Sequence, residues 1–191
     1  MRLFIAVNLP ADEKDRLWHA LSPLRQRDLG VKWTARDAIH LTLKFLGEVP
    51  EPRVPRVADR LARVTLRHDA FGLRLAGVGG FPSLDRAKVW WLGIEPDVRL
   101  MNLQAEVEEA LVAEGFARED RPFTAHVTIG RAARNGRSAD GATARAAAAL
   151  IDYEADWTVS SADLMRSHLG RDGARYEVIF QAPLSGGAAG H

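Results

Sequence analysis

Apolar residues along the chain recur at period two in some runs and at spacings of three and four in others, so the pattern predicts strands interleaved with helices. L-F-I-A-V makes a continuous apolar run, predicting a buried strand over 2–8, and P-A-D-E-K-D-R-L-W-H-A-L places proline and acids at a helix start. V-K-W-T at 31–34 and I-H-L-T-L-K-F-L at 39–46 predict two short strands, and Val54, Val57, Leu61 and Val64 predict a helix over about 53–67. Two strands near 71–78 and 87–94 follow, joined through a Gly-Gly-Phe-Pro loop. Leu100, Leu103, Val107, Ala110 and Leu111 mark an amphipathic helix of about 99–114. After it come the strand H-V-T-I-G, the polar loop R-N-G-R-S-A-D-G, a helix over A-T-A-R-A-A-A-A-L, and a final pair of strands at 155–166 and 174–181. The tail S-G-G-A-A-G-H lacks core-forming residues, so 1–184 is expected to fold and 185–191 to fray, His191 with it.

Two of these strands carry polar residues where apolar ones would suffice. In A-I-H-L-T-L-K-F-L-G, alternation places His40, Thr42 and Lys44 on one face and Leu41, Leu43 and Phe45 on the core side. F-T-A-H-V-T-I-G-R repeats the device, with His126, Thr128 and Gly130 on one face and Val127 and Ile129 opposite. Each strand thus presents one imidazole and one hydroxyl away from its packed side. Polar outer faces are ordinary in antiparallel sheets, but the recurrence of His-x-Thr in two apolar strands favours a functional origin.

Length and composition narrow the classes. The chain has 191 residues, 27% of them charged, with a formal net charge of +1, which suits one soluble domain or two small lobes sharing a core and announces no polyanion partner. Absence of cysteine excludes disulfides, thiolate metal sites and a cysteine nucleophile. Met1-Arg2 runs straight into the first strand without a signal peptide, and no apolar run reaches membrane-spanning length, so the expectation is a cytoplasmic protein with no membrane partner.

Two histidines sharing a cleft form a general acid and base pair near neutral pH, a pair suited to phosphate esters. One neutral ring takes a proton from the attacking oxygen, the other, charged, protonates the leaving oxygen, and Thr42 and Thr128 hold the phosphoryl oxygens. Arg131, just past the second strand, can add a bidentate guanidinium. No His-Glu-x-x-His, Gly-x-Ser-x-Gly or Gly-x-x-x-x-Gly-Lys-[Ser/Thr] pattern occurs, so a metal-free reaction without a cofactor is expected. His19, His68 and His168 are expected in structural or solvent roles.

The ordered series R-L-F-I-A-V, V-K-W-T-A-R-D-A-I-H-L-T-L-K-F-L-G-E-V, G-G-F-P with V-W-W-L-G, F-T-A-H-V-T-I-G-R and L-M-R-S-H-L resembles the two-histidine phosphoesterase superfamily, in particular its RNA 2′,3′-cyclic phosphodiesterases, also called 2′-5′ RNA ligases. The resemblance spans nearly the whole chain. It implies an α+β, bilobal fold in which two antiparallel sheets related by pseudo-two-fold symmetry each supply one motif to a central cleft, with helices outside. It also implies that His40 and His126 are catalytic and that Thr42, Thr128 and Arg131 bind phosphate. The implied activity is hydrolysis of 2′,3′-cyclic phosphate RNA ends to 2′-phosphates, with 2′-5′ joining as the reverse reaction, His126 acting as base and His40 as acid. Given the RNA substrate that the resemblance implies, Phe81 and Phe123 are the aromatic candidates for stacking a base, since Phe45 is assigned to the core. The Arg-Ser pair before His168, which the family also shows, makes Arg166 or Ser167 a candidate for the cleft border. Ala125 stands where many relatives have proline. A monomer is expected. Competing classes are a phosphodiesterase of small cyclic nucleotides or of ADP-ribose cyclic phosphate, and a non-catalytic module that binds RNA ends.

Overall fold

Leu3 to Val7 are all buried, and the strand they form lies inside the sheet with neighbours on both sides. In the computed structural model, which describes residues 1–133, 139–170 and 173–186, the elements run β1 (Arg2–Asn8), α1 (Ala11–Ala20), α2 (Ser22–Arg25), β2 (Val31–Trp33), β3 (His40–Glu48), α3 (Val54–Thr65), β4 (Phe71–Phe81), β5 (Val89–Ile94), α4 (Val98–Val112), β6 (His126–Ala132), α5 (Gly141–Ala148), β7 (Glu154–Val159), β8 (Ser161–Gly170) and β9 (Gly173–Pro183). The fold is α+β, and every ladder between these strands is antiparallel.

The strand order is β7-β4-β5-β6-β3-β1-β8-β9, with β2 pairing separately along β6. The two motif strands, β3 and β6, are therefore neighbours at the centre, each backed by three further strands. One residue pair, Leu41 opposite Val127, joins them. The two expected sheets are thus continuous through a single rung. Behind the sheet, α3 packs on α4, and one apolar core runs beneath both halves, from Leu3 and Leu41 to Leu92 and Val127. Helix α4 turns Leu100, Leu103, Val107 and Leu111 inward at helical spacing, and Asp97 caps its start by accepting from the Arg99 and Leu100 amides.

Three boundaries differ from the sequence expectation. The expected Gly-Gly-Phe-Pro loop is largely strand, because β4 continues through Gly79, Gly80 and Phe81 against β5. Gly79 is required there: a Cβ on it would stand 2.1 Å from the Trp91 indole, which lies across the strand. The run at 155–166 is two strands broken at Ser160, with β7 on β4 in one half and β8 on β1 in the other. Ser185, placed in the fraying tail, is held by backbone bonds to His68 and Ala70. Residues 187–191, with His191, and residues 134–138 of the polar loop lie outside the described residues. No helix among the described residues is long and apolar enough to cross a membrane.

Candidate active site

Strict alternation fails in both motif strands at the same point. Ala6 of β1 lies opposite Thr42, but the preceding Ile5 lies opposite Lys44, which leaves Leu43 as the extra residue of a β-bulge. On β6, Trp91 is opposite Thr128 and Trp90 opposite Gly130, leaving Ile129 extra in the same way. Each bulge swaps the faces of the residues beyond it. Lys44, expected outside, is buried at 4% exposure, and Phe45, expected in the core, is 64% exposed on the cleft face. Gly130 is likewise turned in against β2, and Arg131 out.

Up to the bulges, alternation holds. Leu41 and Val127 are fully buried, so His40, Thr42, His126 and Thr128 occupy the opposite, concave face. Antiparallel pairing about Leu41 and Val127 sets His40 beside Thr128 and Thr42 beside His126. The two histidines are then diagonal neighbours, a relation that puts Cα atoms roughly 7–8 Å apart in a regular ladder.

Both rings are held alike. His40 Nδ1 donates to the Ala38 carbonyl at 2.9 Å, and His126 Nδ1 donates to the Thr124 carbonyl at 2.7 Å. A carbonyl accepts only, so in each neutral ring the proton sits on Nδ1 and Nε2 is left with its lone pair. His40 Nε2 accepts from the Thr42 hydroxyl at 3.1 Å. Burial, reinforced by Lys14, Arg131 and His126, pushes the His40 imidazole down to about 4, against the raising effect of its Ala38 bond. Burial and then Arg131 lower His126 as well, with its Thr124 bond acting upward.

A cavity of about 440 Å³ opens on this face, walled by His40, Thr42, Thr128 and Arg131, together with Phe45 and Tyr176. His126 is not in its wall but one motif step along β6 from Thr128. Each histidine has an aromatic cage: Phe4 and Tyr176 stand 4.9 and 5.0 Å from His40, and Phe81 and Trp91 stand 5.0 and 6.4 Å from His126, between ring centroids. Of the two stacking candidates, Phe81 is thus beside a motif histidine, whereas Phe123 packs against the main core and lines no part of the cavity. Ser167 borders the cavity and Arg166 does not. Sequence reasoning missed Phe4, Phe45, Trp91, Tyr176, Thr34 and Arg2, all on or beside this face. His168 is paired with Glu177 at 2.9 Å, away from this site. Among the described residues no three His, Asp or Glu side chains cluster as a metal site.

Comparison with known proteins finds matches along most of the chain. The 2′-5′ RNA ligase superfamily matches residues 13–171. An RNA 2′,3′-cyclic phosphodiesterase of Thermus thermophilus is 36% identical over 97% of this chain and 91% of its own length, and one of Thermotoga maritima is 36% identical over 69% and 70%. The crystal structure of E. coli LigT complexed with 3′-AMP superposes with a TM-score of 0.77 at 26% identity, covering 96% of this chain and 98% of that one.

Proposed function

The chain belongs to the 2′-5′ RNA ligase superfamily, and from that premise we propose that it is a cyclic phosphodiesterase opening 2′,3′-cyclic phosphate ends of RNA to 2′-phosphates, with His40 and His126 as its acid and base. The observation that carries this reading is the pairing of two like-held imidazoles: each has its Nδ1 proton tied to a backbone carbonyl, and both lie on one face across the Leu41–Val127 rung. Relatives of this chain carry the name RNA 2′,3′-cyclic phosphodiesterase, which supports the substrate class.

The reaction needs one proton removed and one supplied. Neutral His126 takes a proton from water through Nε2 as the water oxygen bonds to phosphorus. The bond from phosphorus to O3′ breaks, and His40, protonated on Nε2, delivers its proton to O3′. The products are a 2′-phosphate and a free 3′-hydroxyl. When His40 is charged, its Nε2–H becomes a donor, so the Thr42 hydroxyl no longer donates to it and turns its proton to a phosphoryl oxygen. Thr128 and Arg131 complete the anion site. Burial is the main cause that holds both rings low, and a bound phosphate offsets the smaller part due to the Arg131 charge, which favours the protonated state the acid requires.

The test is hydrolysis of a short RNA ending in 2′,3′-cyclic phosphate, assayed in EDTA with the 2′- and 3′-phosphate products resolved. Turnover to the 2′-phosphate without added ion is expected. Activity that disappears on chelation and returns with a divalent cation sinks the metal-free part, and a 3′-phosphate product sinks the assigned bond cleavage.

The surroundings of the two rings also lead to an expected pH dependence. Because kcat/KM reports the free enzyme, its profile should be a bell whose acid limb falls as pH drops through the His40 value of about 4. The alkaline limb should lie below the ordinary histidine range near 6.5, because burial and Arg131 lower His126 too. The limbs belong to the pair, so exchanging acid and base leaves the shape unchanged. Arg131→Met should shift both limbs to higher pH. An alkaline limb above neutrality in the unsubstituted protein contradicts this account.

A further inference from the structure

Several arginines are neutralised by neighbouring side chains: Arg16, Arg67, Arg74 and Arg118 each meet a carboxylate. Arg2 and Arg131 do not. Among the described residues neither guanidinium makes a hydrogen bond or ion pair, and both arginines line the same cavity. Glu48, opposite Arg2 on the ladder, lies 3.5 Å from the amino nitrogen of Met1 instead.

The two guanidinium groups stand at different distances from the motif. β1 carries no bulge of its own, so Ala6, Phe4 and Arg2 follow one another on the cleft face, opposite Thr42, Phe45 and Glu48 in turn. The floor of the cavity therefore reads as three steps. The hydroxyl and imidazole groups with Arg131 come first, then the exposed Phe45 ring backed by Phe4 at 6.0 Å, then Arg2 near Ser167. From Ala6 to Arg2 is roughly 13 Å of strand, at about 3.3 Å per residue. A nucleoside lying over Phe45, with an extended arginine side chain reaching back along the floor, fills that interval. An aromatic face between two anion-binding groups is the pattern of a site for single-stranded nucleotides, with stacking in the middle and phosphate contacts at the ends.

We propose that Arg2 binds a second phosphate, the one on the 5′ oxygen of the nucleotide whose 2′,3′ end occupies the motif, with Phe45 supporting the base between them. This inference rests on the functional reading above and narrows it. The preferred substrate is a nucleotide carrying a 5′-phosphoryl group, as every RNA chain end of two or more residues does, rather than a nucleoside cyclic phosphate without one. Ser167 supplies a hydroxyl donor at the same end. Because Arg2 is exposed, its contribution is open to screening by salt.

The test is a binding measurement that needs no turnover: calorimetric titration of the protein with adenosine 2′-monophosphate and with adenosine 2′,5′-bisphosphate. The bisphosphate is expected to bind roughly tenfold tighter, the value of one charge-assisted contact, and the ratio should shrink as salt is raised. Arg2→Gln should abolish the ratio, whereas Arg131→Gln should weaken both ligands together. A dinucleotide bearing a 2′-phosphate end should match the bisphosphate if the phosphate at Arg2 suffices, and should exceed it if polymer contacts beyond that point contribute. Equal affinities in the unsubstituted protein, a ratio that survives Arg2→Gln, or an equal loss of both ligands in that variant each overturn the role of Arg2. Failure of the unsubstituted protein to bind either nucleotide removes the reading of the cleft itself and the inference with it.

Discussion

His126→Ala should lower the rate of cyclic phosphate hydrolysis by roughly 10² to 10⁴, the contribution of one positioned proton transfer, and His40→Ala should do the same. Thr42→Ala or Thr128→Ala should cost less, since each removes one hydrogen bond to phosphate and leaves both proton transfers in place. Single-turnover kinetics on a cyclic phosphate RNA end give these ratios. The roles separate with a substrate whose 3′ leaving group is far more acidic than a sugar hydroxyl. It departs without being protonated, so it should rescue His40→Ala and not His126→Ala. Burial makes His40 the harder ring to charge in the free protein, which would suit it to the base role, while a bound phosphate pulls the other way. Rescue of His126→Ala instead exchanges the two assignments. Loss of less than tenfold in both single variants ends the acid–base account.

Glu108→Leu should destabilise the fold by about 3–5 kcal/mol, because it strands a buried ammonium. Lys44 Nζ, on a side chain 2% exposed, donates to Glu108 Oε1 at 2.7 Å and to the Ala117 carbonyl at 2.8 Å. Glu108 also accepts from the Glu119 amide at 3.0 Å, so its removal leaves two donors short of a partner. Lys44→Met in the same background should recover much of the loss, since an apolar pair of similar volume replaces a desolvated one. Urea unfolding of the single and double variants measures both terms. A loss under 1 kcal/mol for Glu108→Leu, or a double variant no better than the single, contradicts the assignment. The pair ties β3, two residues beyond Thr42, to α4.

How much of this was legible in the sequence depends on how far a period survives. The faces of His40, Thr42, His126 and Thr128 follow from alternation because no irregularity falls within those three-residue spans. One residue later it fails twice. Leu43 and Ile129 are apolar like the residues around them, and nothing in their type marks them as bulged. The error then propagates: Lys44 and Phe45 exchange faces, and the one large aromatic exposed in the cavity was assigned to the core. The break at Ser160 was hidden for a similar reason, since strand-like residues flank it on both sides. Phe4, Trp91 and Tyr176 reach the histidines only through pairing between distant strands, which local pattern does not encode. Arg131 follows from its place just past the second motif as well as from the resemblance, and the bulge at Ile129 is the physical reason it reaches the cavity.

The single rung between β3 and β6 has a mechanical meaning as well. Among the described residues the two halves of the sheet are joined by the Leu41–Val127 rung alone, while beneath it an unbroken apolar layer backs them both. A join of this kind is expected to resist sliding better than bending, with the apolar layer as the pivot and the concave mouth as the side that opens. In the proposed reading, a phosphate held by Thr42 from one half and Thr128 from the other would act as a strut across that mouth, so that the substrate sets the gap over which its protons travel.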